Sequence, residues 1–196
     1  MTSVGQQDFA RFNIICGTNG TGKSTMVDKI LQATHFKNAL VYIESIDLNG
    51  NPFKGLPTIP LTQYRGGKVT IDADEIPFDR FITAVTNKYR NGILVIDEAG
   101  MYQLFEAGQP IEPLKKLLKQ RRKYNVEIYL LYHGVSEIPV RLFKWVNNLI
   151  LFHQTDEFKH KAAVIPRIDE LRAAQTRIKV QYFKGNVHYC ERIQLS

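Results

Sequence analysis

Cysteine is scarce in this chain: 196 residues carry two, Cys16 and Cys190. That count excludes a disulfide framework and points to a reducing compartment. Cys16 closes an apolar run and is expected to be a small buried hydrophobe. Zinc-ligand spacing is missing, as is an RNA-recognition aromatic motif. Apolar runs are short, none approaching the roughly 18 residues of a bilayer crossing, so no membrane span is expected. The polar stretch from Met1 to Arg11 lacks the apolar core of a secretory leader, which leaves the cytoplasm as the expected location. There is no internal repeat, no low-complexity tract and no convincing linker. The length suits one domain with a real core and is too small for two full ones.

Acid is also in deficit. Nineteen Asp and Glu face 26 Lys and Arg, for a net charge of +7. A basic protein attracts polyanions, nucleic acid being the commonest. The 44% hydrophobic and 23% charged fractions are those of an ordinary globular domain.

What is present alternates between strand and helix, the pattern of a mostly parallel sheet covered by helices. Strands are expected at 12–16, 39–43, 68–71, 93–96, 126–132 and 149–152. Helices are expected from Lys23 to about Thr34, along the Phe78, Phe81, Ile82, Val85 face, and along the Ile111, Leu114, Leu117, Leu118 face to about Asn125. A short helix is expected over Val140–Trp145. Between Asp47 and Gly67, glycines and prolines predict a loop excursion. Beyond it, the helical pattern at Ile168–Gln175 gives way to Arg177–Phe183 and Val187–Ile193. These flank Lys184-Gly185-Asn186 and predict a β-hairpin. The chain thus divides into an α/β core at 1–155 and a C-terminal extension at 156–196, helix plus hairpin, packed on the same domain.

The segment Gly17-Thr18-Asn19-Gly20-Thr21-Gly22-Lys23-Ser24 has the pattern G-x-x-x-x-G-K-[ST], between a buried strand and a helix. Phosphate oxygens require converging backbone N–H groups, and glycines permit that curvature. The helix that follows aims its N-terminus at the same anion. Gly17 to Ser24, with Thr25, are the expected nucleotide-binding residues. Lys23 is placed to reach the β- and γ-phosphates and the Ser24 hydroxyl to ligate Mg²⁺.

Ile93-Leu94-Val95-Ile96 ends in Asp97-Glu98. A buried strand ending this way delivers carboxylates to the carboxyl edge of the sheet, where ligands bind in such folds. Asp97 is the expected Mg²⁺ partner and Glu98 the group that orients and polarises the attacking water. The pair favours hydrolysis of ATP over a small nucleotide kinase. A GTPase needs Asn-Lys-x-Asp, and Asn87-Lys88-Tyr89-Arg90 lacks the acid.

After the acidic pair the order is Arg122-Lys123-Tyr124-Asn125-Val126, Glu127 to His133, Gly134-Val135-Ser136-Glu137-Ile138-Pro139, then Asn147 to Phe152. This order resembles the FtsK–HerA superfamily of DNA-pumping ATPases. In these a basic residue precedes a strand ending in Thr-Gln, followed by a Ser-Asp-Ile-Pro-like segment and a strand ending in Phe. Zonula occludens toxin-like phage assembly proteins and the packaging ATPases of membrane-containing viruses share the look. The resemblance covers roughly 12–154 and implies a RecA-like P-loop NTPase fold, with the polar sensor falling on His133 and Tyr132 where Thr is common. It implies an arginine acting in trans at Arg122, with Arg121 beside it. It also implies a homo-oligomeric ring, a hexamer, acting on DNA. The short chain is most like minimal viral genome-packaging ATPases, which implies capsid or portal-vertex partners and a place in the host cytoplasm or virion. A phage assembly ATPase, a nucleotide kinase and a non-catalytic ATP-binding module are the alternatives.

Three basic clusters are candidates for DNA backbone contact. They are Lys115, Lys116, Lys119 and Lys123 around the two arginines; Tyr64-Arg65-Gly66-Gly67-Lys68; and Lys159, Lys161 and Arg167.

Overall fold

In a computed structural model, residues 10–44, 53, 55–156, 158 and 163–195 are described. Among these described residues, nine strands and four α-helices follow in the order β1 (Phe12–Cys16), α1 (Lys23–Ala33), β2 (Asn38–Ile43), β3 (Lys68–Asp72), α2 (Phe78–Lys88), β4 (Gly92–Ile96), β5 (Phe105–Glu106), β6 (Gln109–Pro110), α3 (Glu112–Tyr124), β7 (Val126–Tyr132), β8 (Asn148–Leu151), α4 (Ile168–Phe183) and β9 (Glu191–Gln194). Seven strands form one sheet in the order β3-β2-β4-β7-β1-β8-β9, and β5 pairs with β6 in a separate small hairpin. Every neighbouring pair in the large sheet is parallel except β8 with β9.

The central strands are apolar runs because both faces are covered. Along β1, Phe12, Ile14 and Cys16 enter one cluster while Ile15 enters the other. The α1 residues Val27 and Leu31 cover the Ile15 face, together with Phe36 and Phe53. On the opposite face α2, α3 and α4 contribute Phe81, Ile82 and Val85; Leu114, Leu117 and Leu118; and Leu171, Ala174 and Ile178. Each of these triplets recurs at helical spacing, so one stripe per helix is buried. Fully burying a side chain such as Leu117 stabilises the domain by about 1.5–3 kcal/mol before entropy is counted.

Helix ends follow local chemistry. Gly22 precedes α1 at φ 100°, where a side chain would be strained. Asn125 ends α3 in the left-handed region at φ 53°, its N–H returning to the Arg121 and Arg122 carbonyls.

The C-terminal hairpin expectation is wrong. Residues 177–183 continue α4, because Leu171, Ala174 and Ile178 form one buried stripe. The Lys184-Gly185-Asn186 turn is a helix terminator. Asn186 N–H donates to Gln181 O at 3.0 Å and Gly185 N–H to Tyr182 O at 3.0 Å, with Gly185 at φ 90°. This is the Schellman bonding pattern. The strand that follows, β9, pairs with β8 of the core rather than with the preceding segment. Part of the 47–67 excursion lies outside the described residues.

Candidate functional site: a phosphate loop facing paired acids

β1 ends at Cys16 and the chain turns at once into the glycine-rich loop. Its amide ends are tied to both neighbouring strands: Gly17 N–H donates to Tyr132 O at 3.1 Å and Thr18 N–H to His153 O at 2.9 Å. Gly17 is required for close approach, since a Cβ there would lie 2.5 Å from Phe152 Cβ. Gly20 and Gly22 are required for conformation, at φ 76° and 100°. Thr21 Oγ1 donates to Thr18 O at 2.7 Å and closes the curve. Asn19 and Thr25 are exposed.

Lys23 is buried within the loop, and its ammonium donates to Gly17 O at 2.6 Å and Thr18 O at 3.3 Å. Burial lowers its pKa, opposed by the nearby Asp97 and Glu98 carboxylates. Ser24, in the first turn of α1, donates from Oγ to Asp97 Oδ2 at 3.3 Å. Asp97 is itself buried, and burial raises its pKa, with Glu98 adding to the shift. A desolvated carboxylate beside a hydroxyl is a hard-oxygen pair that suits Mg²⁺, an ion usually held by one or two protein oxygens plus phosphate and water. The residues therefore fit the ion.

Glu98 follows β4 in the left-handed region at φ 52°, an uncommon conformation for a side-chain-bearing residue. Its carboxylate meets the His133 ring at Nε2. His133 lies just past β7, and its backbone N–H donates to Glu137 Oε2 at 3.1 Å. Glu137 also covers Gly100, where a Cβ would lie 2.7 Å from Oε2. The segment carrying Ser136 is held by Asp156, which accepts from the Ser136 N–H at 3.0 Å. Asp97, Glu98 and His133 thus stand on the β4–β7 side of the phosphate loop, all at the carboxyl edge of the sheet.

The two arginines separate. Arg121 is buried, donating to Leu118 O at 2.7 Å and to Asn147 Oδ1 at 3.2 Å. Asn147 Oδ1 also accepts the Phe12 N–H at 2.8 Å, so Arg121 braces the start of β1. Arg122 is exposed. Both precede β7, at the amino edge. The seven residues of β7 put about 20 Å between that edge and the phosphate loop, so Arg122 does not reach the site of its own chain.

The segment around Tyr64 and Arg65 lies near the amino edge, toward the C-terminal end of α3, while Lys115 pairs with Glu112 in the first turn of that helix. Tyr64, Arg65 and Gly66 line a cavity of about 520 Å³ with Lys88 and Arg90, and Arg90 lies 3.4 Å above the Tyr124 ring at the end of α3. Of the third cluster, Lys159 and Lys161 fall outside the described residues, and Arg167 donates to Gln194 O at 2.6 Å and pairs with Glu170.

Sequence reasoning missed the residues that close the loop from the β8 side. His153 stacks on Tyr182 with centroids 3.8 Å apart, and His188 donates from Nδ1 to Thr21 O at 3.1 Å. No local signal marks a contact that spans 167 positions.

No protein-family model matches the chain, and no curated protein sequence does. Solved structures do. B204, the DNA-packaging ATPase of Sulfolobus Turreted Icosahedral Virus, superposes with a TM-score of 0.72 at 17% identity, covering 96% of this chain and 94% of that one. The genome packaging NTPase B204 of Sulfolobus turreted icosahedral virus 2, in complex with ATP-gammaS, gives 0.67 at 17% identity over 87% of each chain. The N-terminal domain of zonular occludens toxin from Neisseria meningitidis gives 0.50 at 19% identity, covering 75% of this chain and 78% of that one. At these identities the likeness establishes the fold: a P-loop NTPase with a mostly parallel sheet flanked by helices. Among the described residues no helix is long and apolar enough to cross a membrane.

Proposed function

We propose that this chain hydrolyses ATP with Mg²⁺ and couples the reaction to moving DNA, as a viral genome-packaging ATPase does. The observation that carries the reading is the convergence of Ser24, Asp97, Glu98 and His133 around one phosphate loop, with Ser24 Oγ and Asp97 Oδ2 at 3.3 Å. It is supported by a fold that extends over 96% of the chain in a DNA-packaging ATPase.

The loop amides and Lys23 hold the phosphates. Ser24 and Asp97 would hold Mg²⁺, which when bound would supply positive charge beside the phosphate oxygens. Glu98 orients a water in line with the terminal phosphate and takes up its proton. His133 fixes the Glu98 carboxylate through Nε2 and so sets the direction from which that carboxylate meets the water. Arg122, at the far edge, supplies its guanidinium to the next subunit of a homo-oligomeric ring, a hexamer in this reading. DNA backbone contacts fall to the basic amino-edge segments. Capsid or portal-vertex proteins are the partners and the host cytoplasm or virion the location. A phage assembly ATPase is the second reading, supported by the likeness to the zonular occludens toxin domain.

The test is ATP hydrolysis with and without DNA, using wild type, Glu98→Gln and a mixture of Arg122→Ala with Glu98→Gln subunits. The expected results are DNA-stimulated hydrolysis, its loss in Glu98→Gln, and partial recovery in the mixture. No hydrolysis by wild type under any condition removes the motor reading. DNA-independent transfer to a nucleoside monophosphate favours the kinase.

A further inference from the structure

The phosphate loop has two sides. On one, toward β7 and β4, stand Asp97, Glu98 and His133, the groups that act at the terminal phosphate. The other side faces β8 and the chain that follows it, because β1 lies between β7 and β8 in the sheet. A triphosphate seated with its γ-end at the acids therefore directs its nucleoside toward β8 and α4.

That direction leads to an aromatic group. His153, whose carbonyl accepts from both the Thr18 N–H and Oγ1, stacks on Tyr182 at 3.8 Å and 10°. Phe183 stands edge-on to both rings, at 6.2 Å and 74° from His153 and 5.9 Å and 79° from Tyr182. Phe183 is 73% exposed, the most exposed large hydrophobic residue among those described. This phenyl ends a helix whose other outward positions include Arg172, Thr176, Lys179 and Val180, and its edge contacts with His153 and Tyr182 leave most of the ring in water. Beside it lies an open cavity of about 430 Å³ lined by His153, Gln175, Lys179 and Phe183 among others, within the size range of small-ligand sites. Outside that cavity, His188 stands against the phosphate loop itself: its Nδ1 would sit 2.8 Å from a Cβ on Gly22, at the point where the loop becomes α1. Burial, with Lys179 adding to it, lowers the His153 pKa, which favours the neutral form of the stacked imidazole.

We propose that the C-terminal turn of α4 is the nucleoside platform of this site: the purine base of the nucleotide stacks on Phe183 in the recess beside His153 and Lys179, and His188 borders the ribose. The proposal rests on the ATP reading above. Stacking on an aromatic face tolerates every base and favours the larger ring system, so discrimination is for purine over pyrimidine.

The test is equilibrium binding of ATP, UTP and inorganic tripolyphosphate, each with Mg²⁺, to the full chain and to Phe183→Ser and Phe183→Trp. Wild type is expected to bind ATP more tightly than UTP. Phe183→Ser is expected to weaken ATP on the order of tenfold while leaving tripolyphosphate within about twofold, and Phe183→Trp to restore ATP binding. Unchanged ATP affinity in Phe183→Ser overturns the platform. So does an equal loss of ATP and tripolyphosphate, which would place the effect in the loop or the fold. A changed oligomeric state with unchanged affinities would make the aromatic surface a subunit contact instead. Wild type that binds neither ligand would remove the ATP reading itself, which separates the two failures.

Discussion

Replacing Gly17 by alanine tests whether the phosphate loop is shaped by close approach to β8. An added Cβ would lie 2.5 Å from Phe152 Cβ, 2.8 Å from Thr21 Oγ1 and 3.4 Å from His153 O. Phe152 cannot swing aside: it is 3% exposed, packs in the α1-side core, and is pinned by its N–H donating to Cys16 O at 2.8 Å. Relief therefore requires moving backbone by about 1 Å, and overpacking of this kind costs about 1–3 kcal/mol. At this chain length each kcal/mol lowers Tm by about 2–4 °C, so Gly17→Ala should melt several degrees below wild type. Gly20→Ala is the control. Its Cβ meets nothing within 4 Å, so only the φ of 76° opposes it, at about 1–2 kcal/mol. Calorimetry without nucleotide measures both. ATP affinity should fall more in Gly17→Ala, because the displaced strand end carries His153 and its bonds to Thr18. Gly17→Ala melting within a degree of wild type would refute the reasoning.

Arg121→Ala and Arg122→Ala should separate stability from activity. The first removes a buried guanidinium bonded to Asn147 and Leu118 and should cost about 1.5–3 kcal/mol in urea denaturation. The second should change stability by less than about 0.5 kcal/mol while lowering ring hydrolysis by about 10³–10⁵; the reverse pattern would exchange their roles. Glu127→Gln should reshape the pH dependence of stability. Burial raises the Glu127 carboxyl above its ordinary 4.5, against hydrogen bonds from Tyr129 and Asn13. The native state then holds the proton more tightly than the unfolded one, so this group's contribution is full below 4.5 and is lost as pH rises through the raised value. The variant's stability relative to wild type should grow between pH 4 and neutral in urea titrations, and an advantage that shrinks over this range contradicts the assignment.

The parts of the site that chain order controls were legible before the fold was known. The glycine pattern and the Ile93–Glu98 run each lie at the end of a buried strand, and parallel strands deliver such ends to one edge. The β1, β2, β4 and β7 strands were visible because both their faces are covered, which leaves nearly unbroken apolar runs. The α4 error has the same root. Arg177 to Phe183 alternates polar and apolar residues, which favours a strand. The helix wins because Ile178 completes a buried stripe begun at Leu171, a tertiary fact. Gly185 signals a turn in either case, and the bonds it closes, rather than its identity, distinguish a helix terminator from a hairpin. Arg121 and Arg122 are adjacent and chemically alike, so only the packing of α3 against Asn147 tells a brace from an outward-facing cation. His188 meets Thr21 across almost the whole chain, a proximity no local pattern encodes.

The position of β1 in the middle of the sheet has a consequence for how the chain acquires its structure. The strand that carries the phosphate loop is made early, yet its two neighbours span residues 126–132 and 148–151. Until both have been synthesised and docked, β1 has two unsatisfied edges and its loop has neither the Tyr132 nor the His153 carbonyl to hold it. Contacts this distant in sequence are slow to form. The phosphate loop therefore takes its shape late on the ribosome-to-native route, at the moment the sheet closes around β1.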